Sequence, residues 1–410
     1  MASLVAASAV GLAAAFSFAA GAVLLSACGS CDSIVRQTSV PVLAAGTFDG
    51  VEADQGGHRL FLADQAARGV DVVDLSGSAP RFVGTVDLGA APTGLAFSSA
   101  LKRVFAGTDG GQVAVIDADA KSQQFLHVVD RVTVDGAHAD LLDFSAQSHR
   151  LFVGTSSAAA VVVMDAKTDK VTNRFDLKTS VEQPRFDYAD GKLYVTTPHT
   201  DSLLQLDPTT GTVTRTYKQA GCRPSGLAIN PSRQIALVAC GGSMAVFNLR
   251  TGLDEVTRVV PGGDLVVYDA AVDRFTVGSS HGPRDSAVGV FSGDGRFIGM
   301  VGSSPEAHGA VFDDRSGLVY AVSKAGLLSF SPAACAPPPD WLTFIGGASV
   351  FVVPLVMFGL YLFSYARRRS RIDPRAAARP SWDRLQREDM AAERERIREL
   401  EDAIYGPRDG

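Results

Sequence analysis

The sequence predicts an all-β fold, a seven-bladed β-propeller, followed by a transmembrane helix and a short cytoplasmic helix. Three observations predict this organisation. A pattern of short strands recurs at intervals of roughly 40–45 residues, as in propellers. An uncharged apolar segment at residues 341–365 is long enough to cross a bilayer. A charged helical pattern then covers residues 381–405.

The N-terminal segment, residues 1–27, contains a long uncharged apolar run. Leu25-Ser26-Ala27-Cys28 resembles a bacterial lipobox, which would make Cys28 a lipidation site after cleavage. The segment lacks the positive residues that begin a signal peptide, so an uncleaved signal anchor is the alternative. Both interpretations place the middle of the chain outside the cytoplasm.

The repeated pattern consists of a strand, a turn, a strand, a polar loop, a third strand and usually a fourth. Its seven copies contain the segments 50–75, 94–118, 140–166, 192–217, 226–249, 264–292 and 309–331. The last copy has only three strands, and Thr38–Ala44 precedes the first copy without a partner. We expect Thr38–Ala44 to be the outer strand of the last blade, which closes the ring and removes open sheet edges. The predicted propeller is then 38–332, after a linker at 28–37.

A Pro-rich linker, residues 333–340, leads to the predicted transmembrane helix at 341–365. Trp341 opens this helix and Tyr365 closes it, and the basic cluster 367–371 follows. Aromatic belts and a basic flank place residues 366–410 in the cytoplasm. Within them, the helix at 381–405 is either a solvated helix or a helix that binds a partner. We therefore predict a protein of the bacterial cell membrane with an extracytoplasmic propeller.

Five cysteines fit an oxidising compartment, where disulfides persist. Ring closure would bring Cys31 near Cys335, and antiparallel strands would bring Cys222 near Cys240. With Cys28 lipidated, these two disulfides account for every cysteine; reduced buried thiols are the alternative for Cys222 and Cys240. The net charge of −6 argues against a nucleic-acid partner.

The segments GKLYVTTPHTDSLLQLDPTTGTV (191–213) and RPSGLAINPSRQIALVACGGSMAVFNLRTG (223–252) resemble the YVTN-type propeller repeat. The resemblance covers residues 38–332 and departs from the usual pattern at Thr197, where the repeat has Asn. It implies the fold more specifically than the function, since such propellers include surface proteins, binding modules and lactonase-like enzymes.

In such propellers, the starts of the innermost strands and the loops between second and third strands share one face. Alignment of the innermost strands predicts a polar ring at the channel mouth, four residues before each aligned core position. Its members are Asp49, Thr93, Asp140, Glu182, Ser225, Asp264 and His308. The loops add His138, His199 and His281 to the same face.

This ring has two interpretations. It is either a solvated funnel or a site for a divalent cation, Ca²⁺ or Zn²⁺, with Asp140, Glu182, Asp264 and His308 as ligands. A lactonase-type ligand set would also need an Asn, but Asn230 lies towards the other end of its strand.

The sequence contains no P-loop or HExxH motif, and its single GxSxG match, residues 278–282, lacks the following helix that a nucleophile elbow requires. We therefore expect a membrane-anchored binding or scaffold module, which could be a subunit of a membrane complex, rather than an enzyme. A protein partner would bind the propeller face or the cytoplasmic helix. The alternative is a metal-dependent, lactonase-like hydrolase that uses the acidic mouth.

Overall fold

A computed structural model describes most of the chain between residues 29 and 335 and three short C-terminal stretches. The described residues are 29–30, 35–40, 42–43, 46–134, 136, 138–252, 254–279, 286–303, 308–323, 326–335, 356–365, 390–391 and 393–396. The chain divides into two compact units, Met1–Pro338 and Pro339–Gly410.

The first unit is a seven-bladed β-propeller, as the repeats predicted. Strands β1 (Gly29–Ser30) and β2 (Arg36–Thr38) precede the first blade. Blade one holds β3 (Phe48–Asp54), β4 (Arg59–Asp64), β5 (Gly69–Asp74) and β6 (Arg81–Asp87). Blade two holds β7 (Pro92–Ser98), β8 (Arg103–Thr108), β9 (Gln112–Asp117) and β10 (Val128–Thr133). Blade three holds β11 (Leu142–Ser145), β12 (Arg150–Thr155), β13 (Ala160–Asp165) and β14 (Lys170–Asp176). Blade four holds β15 (Pro184–Asp187), β16 (Lys192–Thr197), β17 (Ser202–Leu206) and β18 (Val213–Lys218).

The remaining three blades follow the same order. Blade five holds β19 (Leu227–Asn230), β20 (Ile235–Cys240), β21 (Ser243–Asn248) and β22 (Asp254–Thr257). Blade six holds β23 (Gly263–Asp269), β24 (Arg274–Ser279), β25 (Ala287–Ser292) and β26 (Phe297–Gly302). Blade seven holds β27 (Ala310–Asp313), β28 (Leu318–Ser323) and β29 (Gly326–Phe330), with β2 as its fourth strand.

The first strand of every blade is innermost. Each first strand contacts the first strand of the next blade, and β27 contacts β3, so the ring is closed around a central channel. Neighbouring strands within a blade are antiparallel and joined by short turns or loops, which suits strands that follow one another directly in sequence. We call the end where the innermost strands begin the mouth face, and the opposite end the turn face.

The hydrophobic core lies between blades rather than within one centre. Seven clusters of buried apolar side chains each join two neighbouring blades. Stacked ring pairs such as Phe105–Phe144 and Phe152–Phe186 link the second strand of one blade to the first strand of the next. Neighbouring blades cover both faces of each sheet, so middle strands such as β13 consist almost entirely of apolar residues.

The first hairpin turn of each blade is built by a short polar acceptor and a residue in the left-handed region. In blade one, Asp54 Oδ1 accepts a hydrogen bond from Gly57 N at 2.8 Å, and His58 has a φ of 51°. In blade seven, Asp313 accepts from Ser316 N, and Gly317 has a φ of 65°. These turns lie on the turn face, where Asx-type bonds stabilise the reversal.

The closing strand lies earlier than the sequence predicted. Arg36–Thr38, not Thr38–Ala44, pairs antiparallel with β29, with Arg36 beside Ser329 and Thr38 beside Leu327. Val40 and Leu43 are instead buried in the cluster between blades seven and one. Pro41 has no N–H to donate to a ladder, which limits the strand to the residues before it.

Strand β1 falls within residues 28–37, which the sequence predicted as a linker. It pairs parallel with β26, with Gly29 beside Gly299 and Ser30 beside Met300. A two-residue strand has no periodicity that a sequence pattern could reveal, so only the pairing shows it.

The Cys222–Cys240 disulfide is confirmed, and it ties the start of blade five to the end of its second strand. Cys335 is also disulfide-bonded, while its predicted partner Cys31 and the predicted lipidation site Cys28 lie outside the described residues. The loop closed by Cys222–Cys240 spans 18 residues. Both cysteines are buried in the core cluster between blades four and five.

Replacing both Cys222 and Cys240 with Ser should lower the free energy of unfolding by about 2–3 kcal/mol, because the unfolded chain regains the freedom of a short loop. Chemical denaturation of the variant and of the unsubstituted protein under oxidising conditions measures this. Reductant should lower the stability of the unsubstituted protein and leave the variant less affected. An equal loss in both proteins would contradict a stabilising role for this disulfide.

In the second unit, the described residues 356–365 are helical, and their large apolar side chains are exposed. Residues 390–391 and 393–396 are also helical and exposed. Among the residues that can be described, no helix is long and apolar enough to cross a membrane. Most of the predicted span 341–365 and of the tail helix 381–405 lies outside the described residues.

Candidate functional site at the channel mouth

Three side chains from three consecutive blades converge at the mouth of the central channel. Asp264 lies in β23 of blade six, His308 precedes blade seven, and Asp49 lies in β3 of blade one. One ligand atom from each lies within 4.8 Å of the others. We call Asp49, Asp264 and His308 the mouth cluster. Its carboxylate oxygens and imidazole nitrogen are donors that a divalent cation accepts.

Hydrogen bonds hold the mouth cluster in place. His308 Nδ1 lies 3.1 Å from Asp264 Oδ2, and Gln65 Nε2 donates to Asp49 Oδ2 at 2.9 Å. The side chains of His308 and Asp264 are 28% and 32% exposed, so the cluster is open to solvent from the mouth face. Gln65 follows the second strand of blade one, so a loop residue orients a residue of the innermost strand.

The carboxyl groups of the mouth share one electrostatic environment. The pKa of Asp49 is raised to about 7, chiefly by burial and then by the charges of Asp264 and Asp140, while His308 and the Gln65 hydrogen bond oppose the rise. The pKa of Glu182 is likewise raised to about 7, chiefly by burial and then by the charges of Asp140, Asp264 and Asp49. Carboxylates that repel one another in a partly enclosed space bind protons or cations more strongly.

Asp140 and His138 form a second acidic and imidazole pair on this face. His138 Nε2 lies 3.7 Å from Asp140 Oδ2. Burial raises the pKa of Asp140, and His138 and a hydrogen bond with Ser156 oppose this effect. The side chain of Asp140 is 15% exposed, so it is more enclosed than Asp264.

The four residues that the sequence predicts as metal ligands are not the same as the three residues of the mouth cluster. Asp264 and His308 belong to the mouth cluster, whereas Asp140 and Glu182 do not, and Asp49 takes the third place. The reason is the order of the blades around the ring. Blades six, seven and one are neighbours, while Asp140 and Glu182 precede blades three and four on the far side of the channel.

Other predicted residues of this face lie outside the mouth cluster. Thr93 is buried, and its Oγ1 donates to the carbonyl oxygen of Ala139 instead of facing a ligand. Ser225 is held by its backbone, whose carbonyl accepts from Thr196 Oγ1 at 2.6 Å. His199 is exposed in the short turn Pro198–Thr200. His281 lies outside the described residues.

Asn230, which a lactonase-type ligand set would need at the mouth, lies on the turn face. Its Nδ2 donates to the carbonyl oxygen of Gly293 at 2.8 Å and to Asp273 Oδ1 at 3.1 Å. It therefore ties blades five and six together and contributes no ligand at the mouth.

A charged group deeper in the channel was not among the predicted site residues. Arg185 Nη1 donates to Asp143 Oδ1 at 2.7 Å, and Phe186 N donates to Asp143 Oδ2 at 2.6 Å. Glu52, from blade one, is electrostatically coupled to both Arg185 and Asp143. We call Glu52, Asp143 and Arg185 the floor cluster. It lies three strand residues beyond the mouth, which is about 10 Å deeper in the channel.

The floor cluster has one cation for two acids. Glu52 is half-buried, and burial is the main cause that raises its pKa to about 7. Arg185 opposes the rise and Asp143 adds to it. A signal for this cluster was present in the same alignment, one residue before each aligned core position. Those residues are Glu52, Ala96, Asp143, Arg185, Ala228, Val267 and Val311, three of them charged in an otherwise apolar row.

Comparisons with known proteins support the fold and not an activity. No protein-family model matches the sequence, and the comparison with curated proteins gives no match. The YVTN resemblance therefore stays a prediction. Solved structures do share the fold. The selenomethionine-substituted virginiamycin B lyase from Staphylococcus aureus has a TM-score of 0.58 at 11% identity, over 72% of this chain and 98% of that chain.

Proposed function

We propose that the protein is a membrane-anchored binding module of the bacterial cell envelope whose channel mouth binds a divalent cation. The single observation that carries the cation site is the convergence of Asp49, Asp264 and His308 within 4.8 Å. The other acids of the mouth, Asp140 and Glu182, add negative potential around it. A cation bound there would present a positive centre to a soluble ligand or partner.

The donor set favours Zn²⁺ or a similar transition ion over Ca²⁺. Zinc binds imidazole nitrogen and carboxylate oxygen at three protein positions and keeps a fourth position for water or ligand. Calcium takes six to eight oxygen ligands, which two carboxylates supply only if water provides most of the rest.

Zinc should stabilise the full chain in detergent after chelator treatment. At about 100 times its Kd, the ion should add about 2.7 kcal/mol to the free energy of unfolding, because only the folded state assembles the mouth cluster. Thermal unfolding with and without Zn²⁺ measures this, and Ca²⁺ should have a smaller effect. Asp264→Asn should abolish the Zn²⁺ response.

Asp176→Asn is the matched control, since Asp176 is an exposed carboxylate on the outer strand of blade three. It should keep the full Zn²⁺ response. If Asp264→Asn responds like Asp176→Asn, the ion binds elsewhere and the mouth site is wrong.

Membrane anchoring rests on the sequence of residues 341–365 and on the exposed apolar side chains of residues 356–365. We propose that residues 366–410 are cytoplasmic and that the propeller is outside. Alkaline extraction of cell membranes tests the anchor, since an integral protein stays in the pellet. Protease added to intact spheroplasts should then digest the propeller and spare the tail.

A hydrolase that uses the same mouth is the second candidate. The observation that favours it is that the pKa of two carboxyl groups, those of Asp49 and Glu182, is raised to about 7. A general base works best when its pKa lies near the ambient pH. Turnover of lactones and esters by the Zn²⁺-loaded full chain tests it. Glu182→Gln should abolish turnover and keep Zn²⁺ binding; an inactive Zn²⁺-loaded protein favours the binding module.

A partner for the propeller or for the cytoplasmic helix would make the protein a subunit of a membrane complex. Purification in mild detergent followed by mass determination tests this proposal. A mass equal to one chain plus detergent contradicts it.

A further inference from the structure

The strand directions of blades six and seven show from which side the chain enters and leaves the propeller. The reference points are the hairpin turns, which lie on the turn face. In blade seven, the turn between β27 and β28 ends at Gly317, and in blade six the turn before β26 ends at Arg296.

The C-terminal exit lies at the turn face. Strand β29 ends at Phe330, which pairs with Val319 directly after the hairpin turn at Gly317. The chain then makes the short turn Pro332–Ala334 and reaches Cys335, which is buried between blades six and seven. Cys335, the last described residue of the propeller unit, therefore lies on the turn face.

Both N-terminal strands are entered from the same side. Arg36 pairs with Ser329 near the turn-face end of β29, and Thr38 pairs with Leu327 nearer the mouth, so β2 runs from the turn face to the mouth face. Strand β1 is parallel to β26, which itself begins after the turn at Arg296. Gly29, one residue after the predicted lipidation site, is therefore approached from the turn face.

We infer that the turn face of blades six and seven faces the bilayer and that the channel mouth points away from it. This inference rests on the proposed membrane anchoring. The N-terminal anchor is either a lipid on Cys28 or the uncleaved segment 1–27, and under both interpretations it joins the propeller on the side where the C-terminal hydrophobic segment also leaves it, opposite the mouth cluster. Two attachments on one side restrict tumbling more than a single tether.

The orientation selects the class of ligand. Because a blade is about 20 Å tall, this orientation would hold the mouth cluster about that far from the side of the propeller that faces the lipid headgroups. Its ligand is then a soluble ion, small molecule or protein of the extracytoplasmic space, and not a lipid or a membrane-embedded segment.

Energy transfer to lipid in nanodiscs tests the orientation with the full chain. A fluorescent amino acid is placed genetically at Gly242 on the mouth face or at Arg250 on the turn face, which avoids new thiols. The two positions flank the same strand, β21, and both are exposed. A Cβ at Gly242 meets no atom within 4 Å, so the substitution is tolerated. Headgroup-labelled lipid is the acceptor.

The expected result is roughly twofold or greater transfer from position 250 than from position 242, because the sites are separated by a strand length of about 20 Å along the channel axis. Equal transfer from a protein that is inserted in nanodiscs means that the propeller lies on its side or tumbles, and greater transfer from 242 means that it is inverted. Either result overturns the orientation and leaves the anchoring intact. A chain that does not insert into nanodiscs overturns the anchoring, and the orientation with it.

Discussion

At pH 8 and without divalent cations, Glu182→Gln should unfold at a higher temperature than the unsubstituted protein. The pKa of Glu182 is raised from 4.5 to about 7, chiefly by burial and then by Asp140, Asp264 and Asp49. Ionisation therefore costs more in the folded state than in the unfolded state. A shift of this size corresponds to an upper figure of about 3 kcal/mol, reduced where channel water screens the carboxylates.

The sign of the pH dependence follows from proton linkage. Between about pH 4.5 and 7 the folded state holds a proton on Glu182 that the unfolded state has released, so stability falls as the pH rises through this window. Well above pH 7, Glu182 is ionised in both states, so its titration no longer changes the free energy of unfolding. Asp49 and Glu52, whose pKa is also raised to about 7, act in the same direction.

Thermal unfolding of Glu182→Gln and of the unsubstituted protein at pH 5 and pH 8 measures the effect. The two proteins should differ little at pH 5 and by several degrees at pH 8, since roughly 2 °C accompanies each kcal/mol in a large domain. Asp176→Asn, on the outer strand of blade three, should follow the unsubstituted protein at both values. If the unfolding temperature of Glu182→Gln changes between pH 5 and pH 8 by as much as that of the unsubstituted protein, the mouth acids are not coupled.

The fold and the mouth were predictable for one physical reason. In a strand, side chains alternate with a period of two, so the residue four positions before an aligned core residue lies on a known side of the strand. That rule by itself places Asp49, Asp264 and His308 in one ring. The aligned Phe97, Phe144 and Phe186 are the rings that stack between blades, so the alignment itself was correct.

The sequence could not choose among members of the ring, because distance across a ring depends on which blades are neighbours. Asp140 and Glu182 were grouped with Asp264 and His308 by residue type alone, whereas ring closure makes blade one, with Asp49, the neighbour of blade seven. The closing strand was placed too late because three residues, Arg36–Thr38, are too few to show alternation. The shifted closing strand did not change the fold, since it still pairs with the same strand of blade seven.

The floor cluster was missed because charge is not expected at a position whose equivalents are Ala and Val. A side chain at that position borders the channel at a depth where protein replaces most of the water, so each charge needs a partner. Asp143 and Arg185 satisfy each other at 2.7 Å, and the Phe186 N–H satisfies the second oxygen of Asp143. Pairs of this kind contribute less than an apolar contact when intact and cost much when broken.

Replacing Asp143 with Ala should lower the free energy of unfolding by about 3–5 kcal/mol, because the Arg185 guanidinium keeps its burial and loses its main partner. Burial already raises the pKa of Asp143 in spite of Arg185 and the Phe186 hydrogen bond, so desolvation dominates this pair. Denaturant unfolding of the full chain in detergent measures the loss. Asp74→Ala is the matched control, because its partner Arg81 is 3.0 Å away but 69% exposed. It should cost about 1 kcal/mol or less.

Glu52 decides how large the Asp143→Ala loss becomes. Without Asp143, Glu52 is released from one repulsion and remains near Arg185, so it should ionise more readily and replace part of the missing charge. Adding Glu52→Gln to Asp143→Ala therefore removes both acids from Arg185 and should cost more than the sum of the two single variants. Strict additivity would show that Glu52 does not sense Arg185. A loss no greater than that of Asp74→Ala would show that the guanidinium finds water when Asp143 is absent, and that the floor of the channel is wet.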